Sequence, residues 1–203
     1  NASNMSKKGI SLNFSALKGS VDVTTTSQDD IVSLGIGSGK VVSGAGDDTI
    51  SVVANATGNA DIRSGDGIDL ITLSSLKGTD LVQPGGTSVS NIDGAAVSHA
   101  AIAADKIINF DPTADRVGFG STTASSSNFI SATGATSFSD ALSKANTAMA
   151  SGKTYYFTFN VASATDGFGI LFYDSDGNGS SDNCVTLVGI TTNVLTYDNL
   201  VVV

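Results

Sequence analysis

Ser43-Gly-Ala-Gly-Asp-Asp48-Thr-Ile50-Ser51 is followed, 21 residues on, by Ser64-Gly-Asp-Gly-Ile-Asp69-Leu-Ile71-Thr72. Each falls one residue short of the nonapeptide G-G-x-G-x-D-x-U-x, in which U is a large apolar residue. The glycines open positive φ to the backbone, so that it can curl its carbonyls around an ion. The aspartate adds hard carboxylate oxygen, which suits Ca²⁺ better than a transition metal. The apolar residue two places further on begins a short strand and points into a core. Repeats of this kind build a parallel β-roll.

One coil of such a roll takes two nonapeptides, about 18 residues, so loops that far apart stack on one edge. The two good copies are one coil plus three residues apart, and the excess fits an enlarged turn within Asn55–Asn59. One coil before Ser43 begins Thr25-Thr-Ser-Gln-Asp29-Asp30-Ile31-Val32-Ser33, which lacks the glycines but keeps Asp30 and Val32 in register. The half-coil between, Leu34-Gly-Ile-Gly-Ser-Gly-Lys-Val41-Val42, has glycines and a strand but no carboxylate. The spacing therefore predicts three acidic loops on one edge and a weaker glycine edge opposite, with Ca²⁺ shared between neighbouring acidic loops. Candidate ligands are Asp29, Asp30, Ser43, Ala45, Asp47, Asp48, Ser64, Asp66 and Asp69; Asp80 falls outside this edge. The alternative is a solenoid held by apolar stacking alone. The pattern resembles the RTX (repeats-in-toxin) proteins that Gram-negative bacteria export by type I secretion, with about 30 residues matching well and roughly 20 more matching poorly.

The composition agrees with a folded, loop-rich chain. At 203 residues with 40% apolar residues it can build a real core. All 19 acidic residues are Asp, a turn and loop residue, so the negative charge belongs in loops. A net charge of −9 opposes a nucleic-acid partner. No stretch of apolar residues is long enough to span a membrane. Cys184 stands alone, so no intrachain disulfide forms, and inside an alternating strand it reads as a small buried apolar residue. His99 has no metal-ligating neighbour and reads as a surface or helix-face residue, and Lys7-Lys8 as a solvated edge. The first residue is Asn, so the chain reads as a piece of a longer protein.

Along the chain, Ile10–Phe14 and Val21–Val23 suggest poorly marked solenoid strands ahead of the roll proper, from about Thr25 to Val82. Gln83-Pro84-Gly85-Gly86 is a turn signal, so a β-roll is expected over 1–86 and a small β-rich subdomain over 87–203. Asp105-Lys-Ile107-Ile108-Asn-Phe110-Asp111-Pro-Thr-Ala-Asp115-Arg-Val117-Gly-Phe119 resembles the segment that follows RTX rolls in secreted proteases and surface-layer proteins. Ile107, Phe110 and Val117 would point inward. Asp111 and Asp115 would either hold another Ca²⁺ or cap the turn between two strands. Ser137-Phe-Ser-Asp140 opens one helix, about 138–151, with Phe138, Leu142, Ala145 and Met149 on one face and Gly152 as its stop. Strands are expected over Thr154–Phe159, Phe168–Tyr173 and Val185–Ile190. Between the last two, Asp174, Asp176, Asn178 and Asp182 have the spacing that opens an EF-hand loop, but Val185 stands where that loop carries Glu. The segment is a calcium hairpin or an Asx-rich turn without metal.

Enzyme signatures such as H-E-x-x-H, G-x-S-x-G and the P-loop are missing, and the carboxylates sit where coordination explains them better than acid–base work. The resemblance implies a secreted, calcium-binding, non-enzymatic module at the cell surface. Its Ser/Thr/Ala/Gly-rich composition resembles surface-layer subunits, which implies self-association in a lattice and attachment to surface polysaccharide through another part of the protein. The ending Tyr197-Asp198-Asn-Leu200-Val201-Val202-Val203 resembles the uncleaved signal read by the type I secretion machinery, or is a last edge strand. The alternative is the export module of a secreted hydrolase, toxin or adhesin. A sugar- or ice-binding solenoid would need a flatter, more regular face than these strands supply.

Overall fold

The computed structural model describes residues 9–75, 78–85, 87–92, 98, 100–159 and 167–203; Lys7, Lys8, Gly86 and His99 lie outside them. In chain order the roll runs through β1 (Ser11–Asn13), β2 (Val21–Thr24), β3 (Ile31–Leu34), β4 (Gly39–Val42), β5 (Thr49–Val52), β6 (Ala60–Gly65), β7 (Leu70–Thr72) and β8 (Leu81–Pro84). There follow β9 (Thr87–Ser88), β10 (Lys106–Ile108), β11 (Arg116–Gly118), β12 (Phe129–Thr133), α1 (Phe138–Ala150), β13 (Tyr155–Phe159), β14 (Phe168–Tyr173), β15 (Asn183–Val188) and β16 (Leu200–Val201).

From β1 to β8 the chain alternates between two sheets, which makes the coil. One sheet has the order β1-β3-β5-β7-β10-β15-β14-β13-β12, with β9 on β15, and the other β16-β11-β8-β6-β4-β2. Stacking is parallel and in register, so like residues meet. Val32, Ile50, Ile71 and Ile107 form one inward row, and Val23, Val41, Ile62, Val82, Val117 and Leu200 form the facing one. All ten are buried. β-Branched side chains fit this pleated, half-buried surface, and the period of two puts their neighbours outside. A slip of one residue would turn an entire row to solvent, so the apolar pattern sets the register. The connection from β3 to β4 takes four residues and that from β5 to β6 takes seven, which places the three extra residues in the turn that the sequence assigns them.

Strands β10, β11 and β16 extend the roll's own sheets, so both sheets run past residue 86. Ile107, Phe110 and Val117 join the roll core as the sequence predicts. The antiparallel strands β13, β14 and β15 continue the first sheet, and α1 covers one of its faces. Phe138, Ala141, Ala145 and Met149 of the helix pack there with Tyr156, Phe168, Ile170, Phe172 and Cys184. Ala141 takes the buried place expected for Leu142, which is half-buried. Ser137 caps the helix through Asp140 N, but the Asp140 carboxylate reaches Thr136 N rather than closing a capping box on Ser137. At the other end Gly152 N reaches Met149 O and Lys153 N reaches Ala148 O, a Schellman motif around Gly152 at φ +92°. The last hairpin strand ends at Val188 rather than Ile190, because Gly189 turns the chain at φ +90°.

Candidate metal centre

The predicted acidic loops stack on the edge where the chain returns from the second sheet to the first. The aspartate before each of β3, β5, β7 and β10 reaches back one coil and accepts a backbone N–H. Asp30 Oδ1 accepts Ile10 N at 2.7 Å, Asp48 Oδ1 accepts Asp30 N at 2.7 Å, and Asp69 Oδ1 accepts Asp48 N at 2.9 Å. Asp105 Oδ1 then accepts Asp69 N at 3.0 Å. This fourth rung escapes the repeat spacing because 36 residues separate it from Asp69. Its signal is the aspartate directly before an apolar strand. A hydroxyl ladder runs alongside, from Thr25 Oγ1 to Ser43 O and from Ser43 Oγ to Ser64 O, each at 2.8 Å. The coils approach so closely that a Cβ on Gly65, at φ +86°, would lie 1.8 Å from Gly44 O.

Both ladders carry buried oxygens without donors. Asp48 and Asp69 are each 1% exposed and Ser64 is 0% exposed, yet Asp48 Oδ2, Asp69 Oδ2 and Ser64 Oγ have no hydrogen-bond partner. Burial pushes the Asp69 carboxyl up to about 7; the Ser64 hydroxyl, close by but outside hydrogen-bonding geometry, and the Asp48 N–H hold it down, and the Asp105 and Asp48 carboxylates add to the rise. Burial raises Asp48 too, against Asp30 N–H and the Ser43 hydroxyl. Asp30 behaves differently. Burial pushes it up, but hydrogen bonds from Thr26 and Ile10 outweigh that and its pKa is lowered. Buried carboxylate oxygens without donors are what a hard cation satisfies.

An outer row lies beside the inner one. Asp29 Oδ1 accepts Asp47 N, and Asp47 Oδ1 accepts Ile68 N, so these exposed residues also bridge coils. Ala45 and Asp66 form a parallel bridge, with Gly46 N on Asp66 O and Asp66 N on Gly44 O.

Asp80 lies outside the acidic edge, as the spacing predicts, but it carries a ladder on the opposite one. It is buried, its Oδ1 accepts Ala60 N at 2.7 Å, and its own N–H donates to Asp115 Oδ1 at 3.0 Å. Asp80 and Asp115 therefore repeat the ladder on the edge that spacing marks as weak, and periods of 20 and 35 residues hide it. Burial raises Asp80 and pushes Asp115 up to about 6. The second oxygen of Asp115 is taken by Asp111 N, and Asp111 Oδ1 caps the turn through Thr113 N and Oγ1. Asn199 ends this edge by donating to Pro112 O and Asp115 O.

In the hairpin between β14 and β15, Asp174, Asp176 and Asp182 bring carboxylate oxygens within 4.8 Å of one another. Each also accepts local hydrogen bonds. Asp174 takes Gly177 N and Gly179 N, Asp176 takes Asn178 N and Nδ2, and Asp182 takes Ser175 N and Oγ. Asn178 Oδ1 accepts Ser180 N, and Asn146 of α1 latches Ser181 N. The Ser175 hydroxyl holds Asp182 below the usual carboxylate range. Cys184 is buried beneath the helix, and burial pushes its thiol pKa up.

No protein-family model and no curated protein matches the chain. Among solved structures it is similar to the AlgE6R2 subunit of the Azotobacter vinelandii mannuronan C5-epimerase, at 19% identity over 90% of this chain and 92% of that one, with a TM-score of 0.47. The AlgE6R3 subunit of the same epimerase is similar at 16% identity over 98% of this chain and 81% of that one, with a TM-score of 0.40. Neither likeness bears on what this chain binds, which its own residues decide.

Proposed function

We propose that the roll binds Ca²⁺ along its inner acidic edge and that the cation completes the fold outside the cell, as the non-catalytic structural module of a secreted surface protein. One observation carries this: Asp48 Oδ2, Asp69 Oδ2 and Ser64 Oγ are buried without partners in adjacent coils. Stacked carboxylates repel, and a divalent cation offsets both the repulsion and the missing donors. Extracellular modules bind Ca²⁺ at about 10⁻⁴–10⁻³ M, so about 10 mM Ca²⁺ would add roughly 1.4–2.7 kcal/mol per site. A cytosol far below that level would keep the chain loose for export. Calcium titration followed by circular dichroism and melting tests the reading. Equal β content and equal melting temperature in chelator and in calcium would sink it.

Within that reading we assign the module to a surface-layer-like protein exported by a type I route. One feature favours the surface layer: among the described residues β1 and β12 are the edge strands of the first sheet, uncharged strands that suit continued association in a plane. The same module at the tail of a secreted hydrolase, toxin or adhesin would fold with calcium yet stay monomeric. Light scattering and electron microscopy of the intact parent protein in millimolar calcium separate the two.

A further inference from the structure

The three loops of the inner edge are not equivalent. In the loops of Asp48 and Asp69 one carboxylate oxygen caps the preceding coil and the other is buried without a partner. In the loop of Asp30 the second oxygen is filled from within: Thr26 N donates to Oδ2 at 3.0 Å and Thr26 Oγ1 at 3.3 Å. This is also the loop whose sequence, Thr25-Thr-Ser-Gln, has no glycine. The two facts have one explanation. The nearer donor is the Thr26 N–H, to which its hydroxyl adds; the corresponding residue in the next coil, Gly44, has no hydroxyl, and at φ +105° its N–H does not reach Asp48 Oδ2. Where the loop has glycine the carboxylate is left for a cation; where it has threonine the chain supplies the donors itself.

Building on the calcium reading, we propose that the row of cation sites begins at Asp48, and that the Asp30 loop is an ion-free rung in which Thr26 stands in for the metal. The non-repeat character of residues 25–28 is then a functional substitution that closes the row toward the N-terminal coils.

Bound Ca²⁺ is counted by equilibrium dialysis of the whole chain, with circular dichroism confirming that each variant is folded at saturation. D48N and D69N keep the oxygen that accepts the neighbouring N–H but lose the charge, and each should bind fewer ions than the natural chain. D30N should bind the same number. The fourfold change T25S/T26G/S27A/Q28G places the 43–46 sequence in the Asp30 loop and should add one bound ion. A D30N chain that loses an ion, or a grafted chain that gains none, overturns the proposal. The graft keeps the test open if D30N does not fold. A natural chain that binds no Ca²⁺ removes the calcium reading as well, and is distinguished from a row that binds normally but includes Asp30.

Discussion

At the scale of single residues, aspartate serves this roll as a backbone cap before it serves as a ligand. Replacing Asp80 with alanine leaves Ala60 N–H buried without its acceptor, and should cost about 1–3 kcal/mol in urea unfolding, with or without calcium. An unchanged midpoint would show that water or a neighbouring carbonyl replaces the carboxylate. Asp69 should behave in the opposite way in the two conditions. In chelator near neutral pH, D69N removes a buried charge and should raise the melting temperature, whereas in calcium it should lower it because a ligand is lost. A variant that is destabilised equally in both would assign Asp69 to packing alone. The folded Asp69 carboxyl titrates at about 7, above its unfolded value of 3.8, so between these limits the folded state holds a proton that the unfolded state has released. Stability of the calcium-free chain therefore falls as pH rises through that window, by up to about 1.4 kcal/mol for every pH unit crossed. Asp30 has a lowered pKa and acts in the other direction, losing its contribution as pH falls through its folded value. The calcium-free chain should melt higher at about pH 5 than at about pH 8, and calcium should reverse that order. A melting temperature independent of pH would contradict the buried, unpartnered carboxylates.

The elements owe their spacing to glycine at two kinds of place. Between coils, Gly65 clears the carbonyl in front of it, and Gly65→Ala would drive a methyl to 1.8 Å from Gly44 O at a φ of +86°. The loss should exceed about 4 kcal/mol, seen as failure to reach native β content at any calcium concentration. At the end of α1, Gly152 also has positive φ but nothing within 4 Å of its added Cβ. Gly152→Ala should therefore cost only about 1 kcal/mol in thermal unfolding, with calcium binding intact. The contrast between the two variants separates backbone strain from collision. A Gly152→Ala loss as large as that of Gly65→Ala would show that the helix cap controls the roll.

At the scale of the whole molecule, the chain's end is part of the roll. Leu200 is buried against Val117, and Asn199 ties the ending to Pro112 and Asp115. Removing residues 197–203 strips β16 from β11 and exposes the last rung of the second ladder. The truncated chain should melt several degrees lower while still gaining stability from calcium, since the inner edge is formed by other coils. Loss of all calcium stabilisation on truncation would mean that the two edges form as one unit. In the export reading, the same truncation abolishes type I secretion; normal secretion would leave the ending as an edge strand only.

Local chemistry settles the roll in the sequence. Glycine beside aspartate, an apolar residue two places on and a repeat of about one coil place β3, β5 and β7 in register, and even assign the three-residue enlargement between β5 and β6 to its turn. Strand Phe168–Tyr173 and the stop at Gly152 are likewise carried by side chains within a few residues of one another. Tertiary structure alone decides what long insertions hide. Asp105 enters the inner ladder 36 residues after Asp69, and Asp80 meets Asp115 at 35, because a coil closes on backbone hydrogen bonds whatever length of chain intervenes. The same physics decides which carboxylates are finished and which are not. Asp30 and Asp69 have the same place in the repeat, yet Thr26 donates to the second oxygen of one, while the other has only the Ser64 hydroxyl beside it, outside hydrogen-bonding geometry. Residue type specifies the ligand atoms; only the stacking of neighbouring coils determines whether a donor of the chain already holds them.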